Sequence, residues 1–188
     1  EIYKENKQVS VLPFDLSLPV DAQLKEHFTG ISEVHGLINN AGYLEQGAAE
    51  TLAIEAYHRC MQTNFFGPVA LVQWLFPRLK AGKAHVVNIS TMGAFQGSVK
   101  FPGLSAYAAS KAAITNFTEV FAEEQKDTGI RMNCLCLGAV NTEMLRDAFP
   151  GYIAPVSAEE MGGFIAEFTL RSGQVFNGKI LPVSSSTP

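Results

Sequence analysis

The most informative stretch of this chain is Ser105-Ala-Tyr-Ala-Ala-Ser-Lys-Ala-Ala113, in which Tyr107 and Lys111 stand four residues apart. On an α-helix, two side chains at this spacing share one face and lie about 5–6 Å apart. An ammonium about 4 Å from a phenol, at an effective dielectric constant of about 20, lowers the pKa of the phenol by about 2–3. Lys111 is therefore predicted to lower the pKa of Tyr107 and to give an acid/base group that works at neutral pH.

The surrounding sequence bears on whether this pair is catalytic or ordinary. A tyrosine packed beside a solvated lysine is common at this spacing, and the pair alone favours that interpretation. Small residues on both sides, however, allow another backbone to approach closely. The apolar run 86–91 before the helix predicts a buried strand that ends in two hydroxyls, Ser90 and Thr91. This context favours the catalytic interpretation.

Length and composition indicate one α/β domain over residues 1–188. Of the 188 residues, 47% are hydrophobic and 17% are charged, which fits a well-buried globular protein. The formal net charge is −4 and the basic residues form no cluster, which argues against nucleic acid and anionic membranes as partners. No apolar run approaches the length of a membrane span.

The three cysteines, Cys60, Cys134 and Cys136, are predicted to be free thiols in a reducing, cytoplasmic compartment. Their number is odd, and we interpret Cys134 and Cys136 as lying on opposite faces of one strand, which argues against a disulfide between them. The four histidines show no ligand spacing with one another or with the cysteines, so we expect no metal site.

Apolar runs alternate with helical patterns along the chain. We predict buried strands at residues 9–14, 35–38, 85–89, 132–137 and 179–183. Helices are predicted at residues 20–28, 54–79 with an interruption near 64–68, 106–125 and 158–170. This alternation predicts a doubly wound parallel sheet between two helix layers, a three-layer α/β/α fold.

Four groups of small or polar residues follow the predicted strands. They are Asp15, residues 39–42, Ser90 with Thr91, and residues 138–142. In parallel α/β sheets, ligands bind at the carboxyl ends of the strands. One such turn is ordinary loop chemistry, whereas four at the same edge favour a ligand site.

These motifs together resemble the short-chain dehydrogenase/reductase family, in the family's order from about residue 9 to residue 178. Residues 39–42, Asn-Asn-Ala-Gly, are similar to its turn of the same sequence, and Asn64 is similar to its helix asparagine. Tyr107 and Lys111 are similar to its Tyr-x-x-x-Lys pair, and residues 138–142 to its nicotinamide loop. The resemblance implies a Rossmann-like fold and an oxidoreductase that transfers hydride between NAD or NADP and an alcohol or carbonyl compound.

The resemblance also implies a role for each matching residue. Tyr107 would exchange a proton with the substrate oxygen, Lys111 would hold the nicotinamide ribose, and Asn64 would keep a helix break open for a relay water. A hydroxyl would hydrogen-bond the reacting carbonyl, and we favour Thr91 over Ser90 for it. The residues implied to contact the cofactor are Asp15, Asn39, Asn40, Ala41, Gly42, Tyr107, Lys111, Gly138, Val140 and Thr142.

Three departures from the family pattern limit these expectations. The loop between Thr91 and Tyr107 is longer than usual, and Leu137-Gly138 replaces Pro-Gly in the nicotinamide loop. The glycine-rich strand, turn and helix that bind the pyrophosphate are absent, so the first two family strands are missing. Segment 9–14 then has no neighbour at its usual place. Either the working protein has more residues than this chain, which we favour, or the segment pairs elsewhere, for example with another subunit.

The substrate and the assembly are less defined by the sequence. Apolar residues in segments 95–101 and 144–152 predict a small, largely apolar alcohol or carbonyl substrate, although ordinary loop packing explains them equally well. The choice between NAD and NADP depends on the missing second strand and stays open. The long helices 54–79 and 106–125 predict a homo-oligomer, a dimer or a tetramer. A truncated, non-catalytic binding or signalling module is the alternative hypothesis.

Overall fold

Four parallel strands form the centre of the protein, whose computed structural model describes residues 8–185. The strands are β1 (Gly36–Asn39), β2 (His85–Thr91), β3 (Arg131–Leu137) and β6 (Ile180–Val183), in the order β1-β2-β3-β6. Gly36 pairs with His85, and Asn88 pairs with Cys134. Two shorter strands, β4 (Val140–Asn141) and β5 (Val156–Ser157), form a separate parallel pair.

Helices cover both faces of this sheet. They are α1 (Val20–Leu24), α2 (Ile54–Met61), α3 (Gly67–Ala81), α4 (Ser105–Glu124), α5 (Glu143–Ala148) and α6 (Ala158–Arg171). Val86 of β2 is buried against α3 and α4, and its neighbour Val87 is buried against α6 on the other face. Successive side chains of a strand point to opposite faces of the sheet, so β2 contributes side chains to the hydrophobic core on each face. The prediction of a three-layer α/β/α sheet is confirmed.

A π-helical turn, Gln62–Phe66, separates α2 from α3 where the sequence predicted an interruption. Pro68 lies in the first turn of α3 and has no backbone N–H, so it cannot bond the carbonyl of Asn64 as an α-helix would require. A wide turn at this point points the Asn64 side chain toward α4 while both flanking helices keep their apolar sides on the core.

The predicted strand at residues 9–14 is wrong. The segment has no regular secondary structure, and Val9 and Val11 are 41% and 71% exposed. Within the part of the chain that the structure describes, β1 pairs only with β2. The backbone of the segment therefore forms no ladder of hydrogen bonds with a neighbouring strand and stays in contact with water. The first helix is also shorter than predicted, because α1 ends at Leu24.

The interpretation of Cys134 and Cys136 as lying on opposite faces of β3 is wrong. Residues two apart on a strand share a face, and both thiols are buried beside Met92. All three cysteines are free and buried. No three His, Cys, Asp or Glu side chains among residues 8–185 are arranged to hold a metal ion. In the same residues, no helix combines the length and the apolar character that a membrane span needs.

Candidate active site

Lys111 lies in the core at the carboxyl edge of the sheet. It is 3% exposed, and its Nζ donates a hydrogen bond of 2.9 Å to the carbonyl of Ile89 in β2. Burial disfavours the charged form and lowers the pKa of Lys111 to about 8, and the nearby Cys134 thiol opposes this shift. A cation this close to neutrality can exchange protons at physiological pH.

Tyr107 lies one helical turn before Lys111 on α4. Its hydroxyl hydrogen-bonds no residue in 8–185 and is not a buried unpaired group, so the oxygen reaches accessible space. Burial of the ring, with a smaller contribution from Cys60, raises the pKa of Tyr107 to about 12. The prediction that Lys111 lowers the pKa of Tyr107 is therefore wrong for this arrangement, because desolvation dominates and the ammonium is directed at the carbonyl of Ile89.

Gly42 brings the loop after β1 into contact with this turn of α4. A β-carbon at Gly42 would lie 3.6 Å from Lys111 Nζ and 3.7 Å from both Asn64 Oδ1 and Met144 Cε. Elements distant in sequence thus converge at one point: the loop after β1, the π-helical turn, α4 and α5. Gly42, Asn64, Tyr107 and Lys111 lie together at the carboxyl edge, and their binding roles stay predictions.

Asn64 is a buried bridge rather than an open polar group. Its Oδ1 accepts from the Tyr43 N–H at 2.8 Å, and its Nδ2 donates to the Tyr43 carbonyl and to Ser110 Oγ, each at 2.8 Å. The amide group thus fixes Tyr43, the residue after Gly42, from both sides. The predicted helix break at Asn64 is present, and a role in a water relay stays a prediction.

The two candidate hydroxyls differ in what they bond. Ser90 is 3% exposed, and its Oγ donates to the carbonyl of Lys111 at 3.0 Å. Thr91 is half-buried, and its Oγ1 accepts from the Gly93 N–H at 3.2 Å, where it caps the 3₁₀ turn Met92–Ala94. Among the described residues the Thr91 hydroxyl proton has no acceptor. The geometry thus leaves Thr91 able to donate to a substrate and uses Ser90 to hold α4 on β2.

Asn39, the first residue of the Asn-Asn-Ala-Gly turn, is buried at the end of β1. Its Nδ2 donates to Asn88 Oδ1 at 2.7 Å, and Asn88 Nδ2 donates to Thr118 Oγ1 at 2.9 Å. The side chain thus ties β1 through β2 to α4. Asn40 and Ala41 are exposed at the sheet edge.

Asp15 is engaged with its own turn. Its Oδ1 accepts from the N–H and the hydroxyl of Ser17 at 2.8 and 2.7 Å, and these bonds lower the pKa of the carboxyl group. Gln23 bonds its backbone from the start of α1. The carbonyl of Leu16, the next residue, accepts from Gln62 Nε2 at 3.1 Å, so the turn after Asp15 lies against the π-helical turn that carries Asn64, and a cofactor contact of Asp15 stays a prediction.

The predicted nicotinamide loop follows β3 and leads into α5. Gly138 packs so closely on Ser184 that a β-carbon there would lie 2.8 Å from Ser184 Cβ. Val140 is buried in β4, and Thr142 caps α5 by accepting from the Leu145 N–H at 3.2 Å. Each of these residues has a structural role that needs no ligand, and their contacts with a cofactor stay predictions.

A cleft of about 480 Å³ begins at Gly42 and runs between residues 42–46 and α5, with Met144 in its wall. Gln46 Nε2 crosses it to donate to the Ala148 carbonyl at 3.1 Å. Phe101 and Phe149 meet beside it edge to face, with ring centroids 6.3 Å apart. Two of the predicted apolar segments thus meet at the cleft.

Sequence reasoning missed the residues that hold this cleft together. Tyr43 donates its hydroxyl to Glu45 Oε2 at 2.8 Å, and Arg59 pairs with the same carboxylate at 2.7 Å, so the pKa of Glu45 is lowered mainly by Arg59. Ser110 bonds Asn64 from α4. A serine within an alanine-rich stretch, three residues after the tyrosine, was the one sequence feature that could have indicated it.

The sequence matches the family model described as short chain dehydrogenase over residues 1–152. Estradiol 17-beta-dehydrogenase 2 of Mus musculus is 31% identical over 146 residues, 74% of this chain and 37% of that protein. 11-beta-hydroxysteroid dehydrogenase type 2 of Homo sapiens is 32% identical over 146 residues, 74% of this chain and 35% of that protein. Dehydrogenase/reductase SDR family member 7B of Rattus norvegicus is 34% identical over 146 residues, 74% of this chain and 43% of that protein. The chain therefore spans less than half the length of these curated relatives.

The fold is also similar to a solved structure. The crystal structure of 3-ketoacyl-(acyl-carrier-protein) reductase from Brucella melitensis, complexed with NADH, superposes with a TM-score of 0.79. The superposition covers 93% of this chain and 76% of that chain at 24% sequence identity, which establishes a shared fold.

Proposed function

Because the chain belongs to the short chain dehydrogenase family, we propose that it transfers hydride between NAD or NADP and an alcohol or carbonyl compound. One observation carries the proposal: Tyr107 and Lys111 share a turn of α4 at the carboxyl edge, with Lys111 Nζ beside Gly42 at the inner end of a cleft of about 480 Å³. We include in the proposal that residues 1–188 act as one catalytic domain.

The residues present fit the nicotinamide-ribose half of a dinucleotide. Gly42 has no β-carbon, and the space that it leaves borders the Lys111 ammonium, which can donate to ribose hydroxyls. Lys111 and Tyr107 would hold this half, with Gly138, Val140 and Thr142 at the nicotinamide end, and residues 39–42 would line the adenosine side. When bound, the nicotinamide supplies or accepts the hydride.

The pyrophosphate half has no comparable cradle among residues 8–185. The nearest glycine-containing turn after a strand, residues 91–97, closes on itself: Gly93 N–H bonds Thr91, and Ser98 Oγ bonds the carbonyls of Met92 and Phe95. Its backbone groups are therefore used within the loop, and we assign no phosphate contact to it.

The chain's own residues determine how the proton moves. With a pKa of about 12, Tyr107 is protonated at neutral pH, so its accessible hydroxyl can donate a proton to a carbonyl oxygen that is being reduced. The unpaired Thr91 proton can hydrogen-bond the same oxygen as negative charge develops. Lys111, fixed by the Ile89 carbonyl, lies one helical turn after Tyr107 and would hold the nicotinamide ribose.

The cleft favours an uncharged, largely apolar substrate. Leu44 and Met144 give its lining apolar surface, whereas Glu45, Glu143 and Asp147 give it negative charge that repels a carboxylate or phosphate. The names of two relatives refer to estradiol and to 11-beta-hydroxysteroids. We propose a hydroxyl or keto compound of this rigid apolar kind.

Localisation and assembly belong to the same proposal. Buried free thiols support a reducing, cytoplasmic compartment. Apolar side chains left exposed on the long helices support a homodimer or homotetramer: Ile54 is 60% exposed, Phe66 52% and Val120 50%.

The test uses Tyr107→Phe in the full chain, with a keto steroid and NADH for turnover and NADH titration for binding. We expect turnover to fall by about 10³-fold or more, because the proton donor is lost, while NADH still binds with little change. Tyr152→Phe, at a 50% exposed tyrosine, is the matched control and should keep its activity.

Two results would contradict the proposal. Unchanged turnover in Tyr107→Phe would remove Tyr107 from the mechanism. No saturable NADH binding and no turnover in the unmodified protein would favour the non-catalytic binding module instead.

A further inference from the structure

We propose that Ser110 is a positioning residue for the reaction proposed above: its hydroxyl fixes the turn of α4 that carries Tyr107 and Lys111 against the loop after β1. The inference rests on that proposed function and adds a residue that does not itself touch substrate. Ser110 is 0% exposed, so its hydroxyl can act only through protein neighbours.

The Ser110 hydroxyl uses both its donor and an acceptor site. Its Oγ donates to the carbonyl of Tyr107 at 2.7 Å and accepts from Asn64 Nδ2 at 2.8 Å. The first bond lies within one turn of α4, and the second crosses to the π-helical turn. The backbone of Tyr107 is thus tied to a different segment of the chain through one oxygen atom.

Tyr107 needs such a tie because its own hydroxyl makes no hydrogen bond to the described residues. The direction of the ring is then set by packing and by the backbone that carries it. Lys111 differs, since its ammonium is fixed by Ile89. A loss at Ser110 should therefore displace the phenol more than the ammonium.

The same bridge continues to the loop after β1, which lines the cleft. Asn64 Nδ2, which donates to Ser110, also donates to the Tyr43 carbonyl, and Asn64 Oδ1 accepts from the Tyr43 N–H. Tyr43 follows Gly42, whose β-carbon position is 3.6 Å from Lys111 Nζ. Ser110 thus connects the turn of α4 that carries Tyr107 to the loop that forms one wall of the cleft.

The same helix provides a matched control two turns later. Thr118 is also 0% exposed, its Oγ1 donates to the Ile114 carbonyl at 2.8 Å, and it accepts from the Asn88 amide at 2.9 Å. Each hydroxyl bridges a helix carbonyl and an asparagine amide. Thr118 does so away from Tyr107, so Thr118→Val removes an equivalent bridge without loosening the catalytic turn.

The experiment compares Ser110→Ala, Ser110→Thr and Thr118→Val in the full chain, with a keto steroid and NADH. A misplacement of about 1 Å can cost about 100-fold in rate, so we expect kcat to fall about 10–100-fold in Ser110→Ala with KM nearly unchanged. Ser110→Thr keeps the hydroxyl, which can still bond a carbonyl one turn earlier, and should recover much of kcat. Thr118→Val should lower stability by a similar amount but leave kcat near its original value.

Hydrogen exchange provides a readout that does not depend on turnover. Amides of residues 105–111 should exchange faster in Ser110→Ala than in Thr118→Val, whose faster exchange should lie at residues 114–119. Equal kcat in Ser110→Ala and Thr118→Val, or the same exchange at residues 105–111 in both, would overturn the inference.

The variants also separate this inference from the proposed function. If Ser110→Ala does not fold, a Ser110→Thr enzyme with near-original kcat supports the inference, and one that folds with original stability but lost kcat overturns it. Full activity in Tyr107→Phe would overturn the proposed function, and the positioning role would fall with it. Loss of activity in Tyr107→Phe together with an unaffected Ser110→Ala would overturn the positioning role alone.

Discussion

Replacing Lys111 by methionine should stabilise the protein at pH 7 while it removes the proposed activity. A tenfold change in acidity is worth about 1.4 kcal/mol, so lowering the pKa of this 3% exposed lysine from 10.5 to about 8 costs ~3.4 kcal/mol of folding free energy at neutral pH. Loss of the hydrogen bond from the charged ammonium to Ile89 offsets about 1.5–3 kcal/mol. The expected net gain is about 0.5–2 kcal/mol.

The gain should depend on pH in a defined direction. Because the pKa of Lys111 is lower in the folded protein, the unfolded chain binds more protons between pH 8 and pH 10.5. The stability of the unmodified protein should therefore rise across this window and lack that contribution below it, whereas Lys111→Met should show no such rise. Tyr107, whose pKa burial raises from 10.0 to about 12, titrates near pH 10 in the unfolded chain and opposes part of the rise above that pH, but it does so in both proteins and cancels in the comparison.

Urea unfolding at pH 7, pH 9 and pH 10.5 measures the difference. Lys126→Met is the control, since Lys126 is a surface lysine paired with Glu123, and it should change stability by less than about 0.5 kcal/mol at each pH. A Lys111→Met protein that is less stable at pH 7, or whose advantage is the same at all three pH values, would refute the view that Lys111 is a destabilising buried cation retained for function.

Further predictions concern other residues. Thr91→Val should lower kcat about 100-fold with little change in stability, whereas Ser90→Ala should mainly lower the urea midpoint, and steady-state kinetics with unfolding curves distinguishes the two. Gly138→Ala should destabilise the protein by about 1–3 kcal/mol in urea, because the new methyl would lie 2.8 Å from Ser184 Cβ. His85 bonds the Thr169 carbonyl and the Asn133 amide, and burial lowers its pKa, so stability present above pH 6.5 should be lost as pH falls through the folded pKa. This acid loss should be smaller in His85→Gln, and an equal loss would contradict it.

Sequence patterns predicted the parts of the fold that depend on periodicity. The strand at residues 85–89 and the helix at 106–125 correspond closely to β2 and α4, because apolar runs and a 3.6-residue period report burial directly. The segment at 9–14 has the same apolar character as β2 and forms no strand. A strand needs a partner, and local sequence does not say whether one is present.

The sequence likewise predicted one part of the candidate site and not the other. The spacing of Tyr107 and Lys111 placed both on one turn, but the direction of each pKa shift came from burial, which tertiary packing sets. Nor could the sequence indicate that Lys111 would bond a main-chain carbonyl. Ser90 and Thr91 are adjacent residues with a hydroxyl group each. Their different hydrogen bonds depend on how the neighbouring segments pack, which the sequence does not show.

The π-helical turn Gln62–Phe66 makes the position of Asn64 sensitive to the length of one short segment. A π-helical turn holds one residue more than an α-helical turn, so removing one residue would restore a regular α-helix and keep α2 and α3 in phase. Val72 and Leu79 of α3 would then stay in the core, whereas the wide turn that directs Asn64 at Tyr43 would be lost. A single-residue deletion here should therefore lower activity more than stability.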